Sequence, residues 1–250
     1  MEALSGAGIL SRMLRIERPV AASAADFHDR EVPDGDDVLV WWFEPTVPAL
    51  ILGSTQSEDL LDLDRCRQRG VDVVKRRSGG GLVFVSPHHT LWVDVIVPRD
   101  HPAWRVDVGR ASEWIGEVWL AALSRSSIDS GDRPLWIHRG AQESTTWSKL
   151  ICFAGRGPGE IFDERGRKVV GISQRRTRSW ARFQCALSLR WEPSVFVDLI
   201  PDGPTIADVA HAGFDVGVGF DVESVRRSFA ESLASALSSA TPSVPIDEDC

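Results

Sequence analysis

No part of the chain reaches the ~20 consecutive apolar residues that a membrane-spanning helix requires. The opening MEALSGAGILSRMLRIERPV lacks the compact apolar segment and small-residue cleavage site of a signal peptide. Cysteine is scarce: Cys66, Cys152, Cys185 and Cys250 form no CxxC pair and no Cys/His zinc spacing. They read as free thiols of a cytoplasmic protein, with a single disulfide left open and no metal site expected. Tyrosine is absent although tryptophan occurs 10 times, a bias with no evident physical reason. Excess positive charge is missing too. The net charge of −8 argues against bulk affinity for nucleic acid.

What is present is enough apolar residue, 43% of 250, for one large core with a small appendage. The segments VLVWWFE (38–44), PALILGSTQ (48–56) and VDVVKRR (71–77) read as strands. GLVFV and LWVDVIVP alternate as a paired hairpin around Ser86-Pro87-His88-His89. KLICFAG, EIFDERGRKVVGISQRR and ARFQCALSLRW alternate like a meander, with a turn at Arg165-Gly166. Helices are predicted in AASAADFHDRE, in 58–70 with Gly70 as the stop, from Asp107 and from Asp221. Clustered strands with helices between them predict an α+β fold, a mixed β-sheet with helices packed on it. The division is a 1–34 N-terminal segment, a 35–238 domain and a 239–250 disordered tail.

Cations are unevenly placed. Arg165, Arg167, Lys168, Arg175, Arg176, Arg178 and Arg182 fall in one stretch without an acid, and Lys75, Arg76 and Arg77 form a second cluster. Local basic patches on an acidic chain suit a small anionic ligand, and solvated strand ends explain them equally well. In RRSGGG, three glycines allow positive φ and close approach of backbone N–H groups to an anion, with Arg76 and Arg77 adding charge. The Gly-Lys-Ser/Thr of a P-loop is missing. In GRKVVGISQRR, Lys168 lies between Gly166 and Gly171, where small neighbours let an ammonium reach a carboxylate or phosphate; alternatively it guards a sheet edge.

Together, RRSGGG and GRKVVGISQ resemble the catalytic domain of the lipoate-protein ligase A and octanoyltransferase family, itself related to the biotin-protein ligases. The resemblance covers roughly 35 to 190 and includes LILGSTQ, with Gly53 and Gln56, as a Gly-X-X-Gln segment. It implies that Arg76, Ser78, Gly79, Gly80 and Gly81 form the loop over the acyl group. It implies further that Lys168, with Gly171, contacts the acyl carbonyl. The chain departs from the family at Val85 and at Cys185-Ala186, where histidines are usual; His88 and His89 are candidates to take over their contacts with substrate. KLICFAG resembles the octanoyltransferase subgroup in which the cysteine, here Cys152, carries the acyl group as a thioester. Its activation needs a nearby cation, for which Lys168 is the candidate.

The resemblance therefore implies attachment of a lipoyl or octanoyl group to a lysine of a lipoyl domain. The acceptor would be the lipoyl domain of a 2-oxoacid dehydrogenase or the glycine-cleavage H protein, with acyl-carrier protein as a possible donor. No tightly bound cofactor is expected. An ATP-dependent ligase, using ATP and Mg, and a non-catalytic acyl-binding relative are the alternatives.

Overall fold

The computed structural model describes residues 14–126, 134–216 and 220–240. The expected disordered tail lies, from 241 onward, outside the described residues. Among the described residues no helix is long and apolar enough to cross a membrane.

Two sheets carry the fold, as the α+β reading anticipated. The larger has eight strands in the order β1-β3-β7-β11-β10-β9-β8, with β2 also paired to β3. These are β1 (Leu14–Ile16), β2 (Val20–Ala22), β3 (Val38–Pro45), β7 (Thr90–Pro98), β8 (Trp136–Ile137), β9 (Ile161–Phe162), β10 (Lys168–Arg176) and β11 (Trp180–Ser188). The smaller sheet has the order β5-β4-β6, built from β4 (Ala49–Leu52), β5 (Asp72–Lys75) and β6 (Val83–Val85).

The strand alternation sorts the large sheet's residues between two layers. Val38, Val40, Trp42, Val93, Val95, Phe183 and Cys185 pack with helices α3 (Val108–Leu123) and α6 (Val222–Ser238). Leu39, Trp41, Phe43, Trp92 and Ile96 face the other way, against Ala49, Ile51 and Val85 of the small sheet and Ala24 and Phe27 of α1 (Ala24–Asp29). Both long helices begin where an aspartate was predicted to cap them: the Asp107 side chain accepts from Arg110 N at 2.7 Å and that of Asp221 from Glu223 N at 3.0 Å. Helix α2 (Leu63–Gln68) is followed by Gly70 at φ +62°, the predicted stop. Helices α4 (Pro193–Leu199) and α5 (Ile206–Val209) complete the set.

Three expectations are corrected. GLVFV and LWVDVIVP do not pair with each other: β6 joins β4 while β7 lies between β3 and β11, so residues 86–89 carry the chain from one sheet to the other. Cys152 stands in a 3-10 turn, Cys152–Ala154, and not in a strand. Of the segment set apart as 1–34, the described residues from 14 onward are joined to the sheet, because β1 and β2 both pair in parallel with β3. Arg182 fastens α1 as well, donating to Phe27 O at 2.7 Å and Arg30 O at 3.1 Å while its Nε meets buried Asp94 at 2.5 Å.

Candidate active site

The triglycine turn is organised by its own arginine. Arg76 is buried, and its guanidinium donates to Gly79 O at 2.8 Å, Gly81 O at 2.7 Å and Ile51 O at 3.3 Å. Gly80 holds φ at +94°, and a Cβ there would stand 3.0 Å from Arg76 Nη2. Gly53 admits the turn from the other side, since its Cβ would lie 1.9 Å from Gly80 O. With the carbonyls turned onto Arg76, the N–H groups of Gly79, Gly80 and Gly81 have no acceptor among the described residues.

The same turn positions Cys152. Leu82 N donates to Leu150 O at 2.8 Å, and Cys152 N donates back to Leu82 O at 3.0 Å. Gln56 reinforces the junction: its Nε2 donates to Leu150 O at 3.0 Å, and its Oε1 accepts from Gly53 N at 3.0 Å. Cys152 is half-buried and free, as are the buried Cys66 and Cys185. Burial pushes both of those thiols above their ordinary range.

Lys168 reaches the same place from the large sheet. It is 1% exposed, and its Nζ donates to Cys152 O at 2.7 Å and pairs with Glu160 Oε2 at 2.6 Å. Gly171 leaves room for this path, because a Cβ there would meet the Phe153 ring at 3.2 Å and the lysine Cδ at 3.6 Å. Glu160 is equally buried and also accepts from Gly157 N at 2.6 Å and Ile172 N at 3.3 Å. The backbone of Lys168 is clamped between Ala212 O and Phe214 N, at 2.9 and 3.0 Å.

These features share one cleft. Arg76, Gly79, Gly80, Gly81, Cys152, Glu160, Lys168 and Ser173 line its mouth. A second, mostly apolar cavity shares Arg76, Cys152, Ile172 and Ser173 with that mouth and continues between the sheets, past Ile51, Val83, Val85, Trp92, Phe153 and Ala186. Ser78 is buried at the boundary, accepting from Ser173 Oγ at 2.7 Å.

Several expectations change. Lys168 is not a free cation beside the thiol, because Glu160 compensates its charge. The other cation is Arg76, whose guanidinium burial lowers from its usual range and which lines both cavities with Cys152. His88 is exposed in the turn between sheets and His89 faces Glu192 at 3.1 Å, so neither belongs to the walls of the two cavities. The histidine that does line the inner cavity is His28, from α1, opposite Val85 and Cys185-Ala186. Its only sequence signal was a polar residue beside Phe27 on a short helix. Glu160 and Gln184 escaped the sequence analysis as well. The first basic stretch is not one patch: Arg167 pairs with Asp163 at 2.6 Å, Lys168 with Glu160 and Arg182 with Asp94.

Comparison with known proteins bears on the family and the fold. The profile of the lipoyl protein ligase A/B catalytic domain matches residues 19–239. Octanoyltransferase LipM of Clostridioides difficile is 27% identical over 119 residues, 48% of this chain and 41% of that protein, so the chain matches under half of the relative's length. A T. acidophilum protein solved with bound lipoic acid superposes with a TM-score of 0.66 at 13% identity, covering 91% of this chain and 86% of the other. Lipoate-protein ligase A bound with ATP gives 0.62 at 14% identity, over 90% and 85%. At such identities the likeness is one of fold.

Proposed function

The chain belongs to the lipoyl protein ligase A/B catalytic-domain family, and from this we infer that it transfers a lipoyl or octanoyl group to a lysine of a lipoyl domain through an acyl-Cys152 thioester. The observation that carries the reading is the placement of Cys152 where an apolar slot meets a cleft lined by Lys168 and the glycine turn.

In the first half-reaction the Cys152 thiolate attacks the carbonyl of an acyl-carrier thioester. The new C–S bond forms, the donor's C–S bond breaks, and the donor thiolate leaves and takes up a proton. In the second, the neutral amine of the acceptor lysine attacks acyl-Cys152. The amide C–N bond forms, the C–S bond breaks, and the amine proton passes to the departing sulfur or to water. Both halves build negative charge on the carbonyl oxygen. The unpaired N–H groups of the glycine turn and the remaining N–H of Lys168 are the donors available to that oxygen, each worth about 10²–10³ in rate when well aimed. The hydrocarbon would lie between Ile51, Val83, Val85 and Trp92.

The test is Cys152→Ala with an octanoyl-carrier donor and a lipoyl domain. Loss of transfer, together with loss of the acyl adduct seen by intact mass in the parent, supports the thioester route. Undiminished transfer removes it. An ATP-dependent lipoate ligase needs no thiolate, so pyrophosphate release by Cys152→Ala on adding lipoate, ATP and magnesium would favour that reaction instead. Binding of octanoate or lipoate with no modification of the lipoyl domain would mark a non-catalytic acyl binder.

A further inference from the structure

One polar atom in the wall of the inner cavity has no partner. His28 is 8% exposed, and its Nδ1 lies 3.1 Å from Gln184 Nε2. Gln184 Oε1 accepts from Ser78 Oγ at 3.3 Å, and Ser78 Oγ accepts from Ser173 Oγ at 2.7 Å. The Gln184 amide is oriented by the buried Asp94 carboxylate, which can only accept and so takes an N–H, leaving the amide oxygen toward Ser78. With the Gln184 oxygen taken by Ser78, its amide N–H donates to Nδ1, and the imidazole proton must sit on Nε2. Nε2 is buried and has no hydrogen-bond partner among the described residues. Burial, and then the charges of Arg182 and Arg76, lower the imidazole pKa to about 3, so the ring is neutral throughout the physiological range.

The ring cannot easily swing away. Trp92 packs on it with centroids 5.0 Å apart, and Arg182 ties the end of α1 to the sheet through Phe27 O and Arg30 O. The result is a fixed N–H donor in a cavity whose other walls include Ile51, Val83, Val85, Trp92 and Phe153. A plain alkyl chain in this slot either leaves the donor unmatched or displaces a water from it without replacing the hydrogen bond, and both weaken binding. An acceptor atom at the right point along the chain removes that loss.

We propose that His28 is a specificity-determining residue that makes the acyl slot prefer a chain carrying an oxygen or sulfur acceptor in its hydrocarbon portion over the unsubstituted chain of the same length. The proposal rests on the reading of this cavity as the acyl site. It adds to that reading which atoms of the acyl group are recognised, and by what.

The experiment uses the full chain and a series of free acids with eight-atom chains. The series holds octanoic acid, the analogues in which one methylene after another is replaced by oxygen, and lipoic acid. Affinities are measured by calorimetry, so the readout does not depend on turnover. Expected is one position of substitution, or lipoic acid, that binds about tenfold or more tighter than octanoic acid, the scale set by an unmatched buried donor. In His28→Phe that preference disappears and octanoic acid gains; in His28→Gln, which restores an N–H donor, part of it returns. Octanoic acid binding as tightly as every substituted acid to the parent protein would overturn the proposal, as would an unchanged preference in His28→Phe. The parent series decides the matter by itself if His28→Phe does not fold. Failure of the functional reading is separate: no acid of any kind would then bind.

Discussion

Replacing Lys168 with methionine tests whether the buried ammonium serves the fold, the chemistry or both. Nζ lies 2.6 Å from Glu160 Oε2, and the two side chains are 1% and 4% exposed. Methionine fills most of the volume and strands the carboxylate. Removing one partner of a buried pair costs about 3–5 kcal/mol. Glu160 keeps the amides of Gly157 and Ile172, which moderates the penalty, while the bond to Cys152 O adds about 1 kcal/mol to the loss. Lys168→Met should therefore lower the unfolding free energy by about 3–4 kcal/mol in urea at pH 8, with an unchanged slope. Lys168→Met/Glu160→Gln removes the uncompensated charge but leaves one of the two amides unmatched. It should stand about 1.5–2 kcal/mol below the parent, giving a coupling of at least about 1 kcal/mol in the cycle. Transfer to a lipoyl domain should stay about 10²–10³-fold reduced in both variants. Additive single-site costs would refute the buried-pair argument, and activity returning with stability in the double variant would reduce Lys168 to a structural role.

Two further outcomes follow from the geometry. Gly53→Ala drives a methyl into Gly80 O, with backbone on both sides, and should cost about 3 kcal/mol or more. Gly80→Ala, at positive φ, brings a Cβ to 3.0 Å from Arg76 Nη2 without striking backbone and should cost about 1–2 kcal/mol, so urea midpoints must fall in that order. His28 has a folded-state pKa of about 3 against 6.5 unfolded, so the unfolded chain binds the extra proton. Its contribution is complete above pH 6.5 and is lost as pH falls toward 3, at about 1.4 kcal/mol per pH unit. His28→Phe should lack that component between pH 6 and 4, read as the difference between the two stability profiles.

Much of the fold was legible because strand alternation and helix caps are local. The runs 38–44 and 90–98 and the aspartates at 107 and 221 needed no tertiary information. Pairing was not legible. β6 and β7 alternate as a hairpin would, and only the burial of Trp92 against the small sheet, on the face opposite Val93, separates them. The triglycine was readable as unusual backbone, but not the inward turn of Arg76 that sets its amides free. Glu160 and Gln184 were invisible for another reason. Once buried and matched they behave as structural groups, whereas in a sequence an isolated acid or amide looks like ordinary strand surface.

The pairing of Leu82 with Leu150 and Cys152 ties the thiol-bearing segment to the three-stranded sheet, while the slot itself lies between that sheet and the larger one. The small sheet thus carries Cys152 and the glycine turn as one unit, with their mutual spacing set by that sheet's own hydrogen bonds. The Lys168 ammonium to the Cys152 carbonyl and Ser173 Oγ to Ser78 Oγ both cross the gap to the larger sheet at 2.7 Å, so the two sheets are held together on either side of the slot's mouth.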